Sequence, residues 1–305
     1  MASTAPSNVS KKKSTTVRAP WYIRSGFTAA EYVAPGPAAK LLCELWFKLP
    51  AGPEKRLRGD APAGSAVFEI DCLGTTVWGF DWAPDTTGEH PLVYLVHGWG
   101  GSTGDFRFIA ATLVASGFRV VAFDAPSHGN SGPGPWGDRH ANGLHLIEAM
   151  NVVLDKFGEP DAVVAHSMGA VSAVHGMLQH GVDLKGVRFA MLAPFIGGVE
   201  GFQDTIGAIV PVGPRIFSRL MPLGEAKAGV NLEDFSLRGI EMEAPVLIVH
   251  DQGDRPNPFR HGKSLAEAWP NAELMATQGL GHRKVLVSPA VNSRVAQFLR
   301  EGLQA

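Results

Sequence analysis

The chain has 305 residues, of which 45% are hydrophobic and 18% are charged, and its formal net charge is -2. This length and apolar content suffice for one large domain with a sizeable core. The charge balance offers no basic footprint for nucleic acid. No run reaches the roughly 18 apolar residues of a membrane span, and the N-terminus has no hydrophobic segment of signal-peptide type. We therefore expect a soluble protein without a nucleic-acid partner or a membrane span.

The N-terminal part differs in composition from the rest. Its first twenty residues are rich in Ser, Thr and Ala and contain four basic residues but no acid. We interpret residues 1–20 as a disordered polar tail rather than a transit peptide, because no amphipathic face is evident. Residues 38–47 have the pattern of an amphipathic helix, so residues 21–64 are predicted to be a helical extension packed on the core. Cys43 and Cys72 lack metal-ligand spacing and fit a reducing compartment, which predicts a cytoplasmic location.

The remainder, residues 65–305, has the alternating strand and helix pattern of an α/β domain. A strand pair with a turn at Gly74 is predicted at the start, and further strands are expected near residues 92, 119, 161, 187, 246 and 272. Helical stretches between them predict an eight-stranded, mostly parallel sheet with helices on both faces. The connection before the strand at 246 is longer than an ordinary crossover, and we assign about residues 195–240 to a short helical lid.

One serine lies between an apolar run and a helical segment rich in small residues. Ala162-Val163-Val164 leads into Ala165-His166-Ser167-Met168-Gly169, and the helical pattern follows. A strand-turn-helix of this kind forces the serine into strained backbone geometry, so small residues are needed two positions before and after it. Ala165 and Gly169 meet that need. Taken alone, the pattern also fits a serine that caps a buried helix.

A second predicted buried strand helps to interpret the serine turn. It ends at residue 96 and runs directly into His97-Gly98-Trp99-Gly100-Gly101, where glycines let backbone N–H groups approach a ligand. The same glycines also suit a tight strand-to-helix turn. Together with the serine turn, this loop resembles the α/β-hydrolase fold family of serine hydrolases, especially the carboxylesterases. Ala165 replaces the first glycine of the family pattern G-x-S-x-G.

The resemblance implies a catalytic triad in the chain order serine, acid, histidine. It assigns Ser167 as the nucleophile, Asp254 as the acid and His282 as the base. Asp254 lies in a loop after a predicted strand, and His282 is flanked by glycine after the last strand. Asp251 is the competing acid, but it lies too near the end of its strand.

Other histidines also follow the serine. His175 and His180 lie on or just after the helix that follows Ser167 and are interpreted as surface or packing residues. His250 ends a predicted strand. His261 has helix-like surroundings and is expected to be solvated.

By the same resemblance, the backbone amides of Trp99 and Met168 form the oxyanion hole. Residues of the His-Gly loop, the serine turn and the lid are predicted to contact substrate: His97, Gly98, Trp99, His166, Phe195, Phe202 and Phe217. The apolar lid residues can instead simply pack the lid onto the core. We predict no cofactor and no metal.

The expected activity is hydrolysis of carboxylic esters of small, fairly apolar molecules through an acyl-enzyme. The same triad also serves amide, thioester and carbon–carbon bond hydrolases. An aminopeptidase stays open because the lid acids Glu200, Asp204 and Glu225 could receive a peptide's amino terminus. A non-catalytic ligand receptor on the same fold is the alternative from another class. A serine at the turn, rather than an aspartate, argues against the epoxide hydrolase and haloalkane dehalogenase branches. The oligomeric state stays open.

Overall fold

The computed structural model describes residues 18–50, 60–83 and 88–301. Most of the predicted tail, residues 1–17, lies outside the described residues, as does the part of the predicted extension at 51–59. The described chain forms eight strands: β1 (Ala66–Cys72), β2 (Thr75–Trp82), β3 (Leu92–Val96), β4 (Arg119–Phe123), β5 (Ala162–His166), β6 (Arg188–Leu192), β7 (Val246–Asp251) and β8 (Ala272–Thr277).

Helices occur before the sheet and between its strands: α1 (Trp21–Val33), α2 (Pro35–Trp46), α3 (Arg107–Ala115), α4 (Gly143–Phe157), α5 (Met168–His180), α6 (Gly198–Ile209), α7 (Pro214–Ala228), α8 (Phe259–Ala268), α9 (Gly281–Lys284) and α10 (Pro289–Arg300). Short turns of 3-10 helix occupy Thr103–Phe106, Leu184–Gly186 and Val285–Val287. No described helix is long and apolar enough to cross a membrane.

The strands form one sheet in the order β1-β2-β4-β3-β5-β6-β7-β8. β1 pairs with β2, and β2 with β4, in antiparallel fashion, whereas all other neighbours are parallel. The central strands are buried along almost their whole length because helices cover both faces of the sheet. This confirms the predicted fold. The carboxyl ends of β3 to β8 meet at one edge, which is where ligands bind in sheets of this kind.

The long connection between β6 and β7 contains α6 and α7, within the segment predicted as the lid. The buried side chains of the predicted extension join a cluster with these two lid helices, and Trp46 of α2 also packs against the main core. Phe27 of α1 and Leu42 of α2 lie in the same cluster as Ile206 and Leu220. An amphipathic pattern shows that one face of α2 is buried, but it does not show which surface covers that face.

A carboxylate of the extension also binds the lid directly. The side chain of Glu31 accepts hydrogen bonds from the backbone N–H groups of Arg215 (2.7 Å) and Ile216 (3.1 Å). These amides belong to the first turn of α7, where helical N–H groups lack partners and a negative charge is favourable. A Cβ on Gly213 would lie 2.4 Å from the Glu31 carboxyl carbon, so a larger residue before the helix would displace this carboxylate. The extension therefore holds one end of α7 in place.

Candidate active site

Ser167 lies at a sharp turn between β5 and α5. Its backbone has φ 54° and ψ -122°, which is strained for a residue with a side chain. Two hydrogen bonds hold this geometry: the Ser167 N–H donates to the Leu192 carbonyl, and the Ser167 carbonyl accepts from the Phe195 N–H, both at 3.0 Å. A Cβ on Gly169 would lie 2.3 Å from the Val96 carbonyl oxygen, so only glycine fits there.

The loop after β3 lies directly against this turn. A Cβ on Gly98 would come within 2.8 Å of the Ser167 Cβ and 3.2 Å of the Met168 nitrogen. Met168 is the first residue of α5, so its N–H has no acceptor within the helix and lies at the positive end of the helix dipole. The backbone next to Trp99 and the start of α5 therefore approach each other closely at Ser167. This arrangement suits the binding of a developing oxyanion.

The structure brings His282 and Asp254 into contact. His282 Nδ1 lies 2.9 Å from Asp254 Oδ2, and the Asp254 carboxylate is buried. Burial opposes the charge of Asp254, but hydrogen bonds from His250 and His282 outweigh it and lower its pKa to about 2. The carboxylate is thus ionised at neutral pH and accepts a hydrogen bond from the Nδ1–H of His282. The other ring nitrogen of His282 is then left as the basic one.

Asn257 is a residue of this site that the sequence did not reveal. Its side-chain Nδ2 donates to the Ser167 hydroxyl oxygen (3.3 Å) and to the Ala193 carbonyl (2.9 Å). Its backbone N–H donates to Asp254 Oδ1 at 3.1 Å. A single buried residue therefore connects the serine and the end of β6 through its side chain and the acid loop through its backbone. In the sequence, only its position three residues after Asp254 points to the site, and this spacing does not show the contact between Asn257 and Ser167.

Asp251 and His166 support the His282 loop from two sides. Asp251 Oδ2 accepts from the Leu280 N–H (2.8 Å) and the Thr277 hydroxyl (2.9 Å). Although burial opposes it, hydrogen bonding from Leu280 and neighbouring amides lowers the pKa of Asp251. His166 Nε2 lies 2.9 Å from the His282 carbonyl oxygen. Burial lowers the pKa of His166 well below its usual range, so the ring is neutral and donates to that carbonyl.

His97 links two loops of the site. Its Nε2 accepts from the Ala125 N–H at 3.0 Å, which leaves Nδ1 as the protonated nitrogen, 2.8 Å from the Gly98 carbonyl. Burial lowers the pKa of His97, consistent with this neutral form. Asp124 fixes the same region by accepting from the N–H groups of Thr103 (2.6 Å) and Asn130 (2.8 Å).

A cavity of about 870 Å³ opens beside these groups. Its lining includes a group that we call the catalytic wall: Ser167, Met168, Trp99, Asn257 and His282. A second group of lining residues, which we call the apolar wall, comes from the extension and the lid and includes Trp46, Phe202, Ile206, Leu220 and Met221. The volume is typical of a small-molecule site.

The predicted substrate contacts fall into two groups. Trp99, Phe195 and Phe202 line the cavity, together with the predicted oxyanion residue Met168. The remaining ones do not belong to its lining as described: His97, Gly98, His166 and Phe217. The first three of these pack behind or beside the serine turn, and Phe217 packs in the cluster between lid and extension.

The acids of α6 face cations. Glu200 pairs with Arg238 at 2.7 Å, and Asp204 pairs with Arg260. His261 was expected to be solvated, and this was wrong: its ring is buried and its Nε2 lies 2.6 Å from Asp204. Glu200, Asp204 and His261 offer three ligand atoms within 4.8 Å of one another. Because both carboxylates are already paired with arginines, we interpret this cluster as an ion-pair network that joins α6 to α8.

Two family models match parts of the chain. A family model described as alpha/beta hydrolase fold matches residues 91–187, and one described as TAP-like protein matches residues 231–304. Est1E from Butyrivibrio proteoclasticus, solved with ferulic acid bound, is similar in fold, with a TM-score of 0.56 at 18% identity over 77% of this chain and 97% of that one.

Two relatives are similar over most of their length. Pimeloyl-(acyl-carrier protein) methyl ester esterase of Chromobacterium violaceum is 31% identical over 242 residues, covering 66% of this chain and 91% of the relative. Bifunctional esterase/perhydrolase DCH of Acinetobacter calcoaceticus is 25% identical over 273 residues, covering 74% and 97%. The chain therefore belongs to the α/β-hydrolase family and is a hydrolase.

Proposed function

We propose that the protein is a serine hydrolase that cleaves carboxylic esters of small, fairly apolar molecules. The observation that carries this proposal is the position of a serine and a histidine at one cavity, with a buried carboxylate bound to the histidine. Ser167 has the strained backbone of a nucleophile turn, and His282 is hydrogen-bonded through Nδ1 to an ionised Asp254. Ser167 and His282 both line the cavity.

The chemistry follows from the protonation states. His282 takes the Ser167 proton at its Nε2, because Nδ1 donates to Asp254. Asn257 donates to the Ser167 oxygen, so the hydroxyl's own proton stays available for transfer. The serine oxygen attacks the ester carbonyl, and the amides at Trp99 and Met168 bind the oxyanion. His282 then protonates the leaving alcohol. Water, activated by the same imidazole, releases the acid and restores the serine.

An ester substrate is supported by the cavity and by the named relatives. The apolar wall offers aromatic and aliphatic surface for an acyl or alkyl group. Two relatives that match over most of their length are named as esterases. The lid acids that would suit an aminopeptidase are engaged elsewhere: Glu200 and Asp204 pair with arginines, and Glu225 accepts from the Leu232 N–H.

Turnover of matched chromogenic substrates tests the proposal. The purified chain is offered p-nitrophenyl esters and p-nitroanilides that carry the same acyl groups, with and without a chelator. We expect turnover of the esters, little turnover of the anilides and no effect of the chelator. Faster anilide turnover would favour an amidase. Binding of such molecules without turnover of any of them would favour a receptor.

A further inference from the structure

Helix α1 has an outward face without charge. At 3.6 residues per turn, Trp21, Ser25, Ala29 and Tyr32 follow one another along one face. Trp21 is 78% exposed and Tyr32 is 70% exposed. Tyr22 and Val33 flank this row and are 61% and 82% exposed. We call these six residues the α1 face.

The opposite side of α1 attaches this helix to the lid. Phe27 and Glu31 are its buried residues, and they contact the lid. The two charged residues of the helix, Arg24 and Glu31, share the row of Phe27. All charge is therefore on the side of the protein body, while large aromatic side chains point into solvent. Contiguous exposed apolar surface on a folded protein commonly marks a site of interaction with another protein or a membrane.

Positive charge is concentrated in the N-terminal part of the sequence, which includes α1. The first 50 residues contain seven Lys or Arg and two acids, whereas the other 255 contain 20 and 27. Both acids of the first 50 are engaged: Glu31 accepts from the start of α7, and Glu44 pairs with Lys227 at 2.5 Å. Lys11, Lys12 and Lys13 precede α1 closely in sequence. The segment that carries the α1 face is thus strongly basic in a protein that is weakly acidic overall.

We propose that the α1 face docks the protein on an anionic lipid surface. Tryptophan and tyrosine favour the boundary between headgroups and acyl chains, because their rings are apolar and their N–H or O–H groups are polar. Lysines and arginines that are close to α1 in sequence add attraction to anionic headgroups. A helix lying in the interface in this way spans nothing, and α1 with 13 residues is too short to do so.

The cavity opens at α2, the neighbour of α1 in the extension. Leu45 of α2 is half-exposed and also lines the cavity, so the cavity reaches the surface at the extension. The docking itself does not depend on the identity of the reaction.

Vesicle sedimentation of the full-length chain tests this inference. Vesicles of phosphatidylcholine and phosphatidylglycerol in equal amounts are compared with vesicles of phosphatidylcholine alone, at low and high salt. We expect the wild type to sediment with the anionic vesicles and salt to release it. The double variant Trp21→Ser/Tyr32→Ser should lower the bound-to-free ratio by about tenfold or more. Replacing Lys11, Lys12 and Lys13 by glutamine should weaken binding to anionic vesicles only.

Phe108→Ser is the matched control, because Phe108 is an exposed aromatic on α3, outside the extension. It should bind vesicles like the wild type, and all variants should keep the circular dichroism and ester turnover of the wild type. Three results would overturn the inference: a wild type that stays in the supernatant, a double variant that binds as well as the wild type, or a gel-filtration dimer that the double variant dissociates. The last result would assign the α1 face to a second copy of the chain.

Discussion

The two walls of the cavity are held in different ways. The catalytic wall lies at strand ends, and its polar groups are fixed by hydrogen bonds at β5, β6 and β7. The apolar wall is formed by helices of the lid and extension, which are joined mainly by side-chain packing. Groups fixed by hydrogen bonds at strand ends tolerate few substitutions, whereas packed helices can shift to accommodate a substituted side chain. We therefore expect changes in the catalytic wall to affect rate and changes in the apolar wall to affect substrate preference.

The largest effect is expected for Ser167→Ala. Removing the hydroxyl should lower ester turnover by about 10⁴ to 10⁶-fold. Alanine still meets the backbone demands of the turn, so the fold and melting temperature should change little. Steady-state kinetics and thermal melting check this. Turnover within about tenfold of the wild type would exclude Ser167 as the nucleophile.

The acid is tested by a matched pair of variants. Asp254→Asn should lower kcat by about 10³ to 10⁴-fold, because an amide favours the wrong tautomer of His282. Asp251→Asn should cost far less in kcat and act mainly on stability, since Asp251 binds the backbone at Leu280 rather than an imidazole. The two variants are compared by kcat and by melting temperature. The reverse ranking in kcat would make Asp251 the acid.

Loss of the hydrogen bonds made by Asn257 should lower kcat less than loss of the Asp254 carboxylate. Asn257→Ala removes a hydrogen bond to the Ser167 oxygen and leaves the Ala193 carbonyl without a partner. A lost hydrogen bond of this kind predicts a drop in kcat of about five- to tenfold with little change in KM. Asn292→Ala is the control, because Asn292 is equally buried but lies on α10. Equal losses of kcat in both variants would mean that Asn257 acts only on general stability.

The smallest change in rate is expected on the apolar wall. Phe202→Ala should reduce kcat/KM several-fold for long acyl chains and leave the shortest ester nearly unchanged, because remote binding energy is lost. Phe217→Ala serves as its partner: Phe217 packs between lid and extension and is absent from the cavity lining. It should lower the melting temperature without changing chain-length preference. The comparison uses a series of p-nitrophenyl esters. A uniform loss across the series in the Phe202 variant would make that residue a packing element.

The same contrast explains what the sequence could predict. The sheet and the turn at Ser167 could be predicted because local rules decide them: buried strands are short apolar runs, and the turn needs small residues at 165 and 169. Asp254 and His282 could be proposed because family order places them at strand ends. In each case the determining contacts lie within a few residues along the chain or follow from the order of the strands.

The remaining features depend on contacts between distant segments. The buried state of His261 follows from Asp204 on another helix, 57 residues away. The contact of Asn257 with Ser167 spans 90 residues and requires the loops after β5 and β7 to meet. The packing of the extension against the lid helices depends on a distant contact for the same reason, since the pattern of α2 identifies a buried face but not its neighbour.

Covalent labelling identifies the nucleophile. The full chain is incubated with a serine-directed fluorophosphonate, and its adduct is counted by intact mass and located by peptide mapping. We expect one adduct per chain, on Ser167, with loss of ester turnover in step with labelling. We also expect a substrate ester to slow the labelling. An ester-hydrolysing protein that is labelled at another serine, or that is not labelled at all, would exclude Ser167 as the nucleophile.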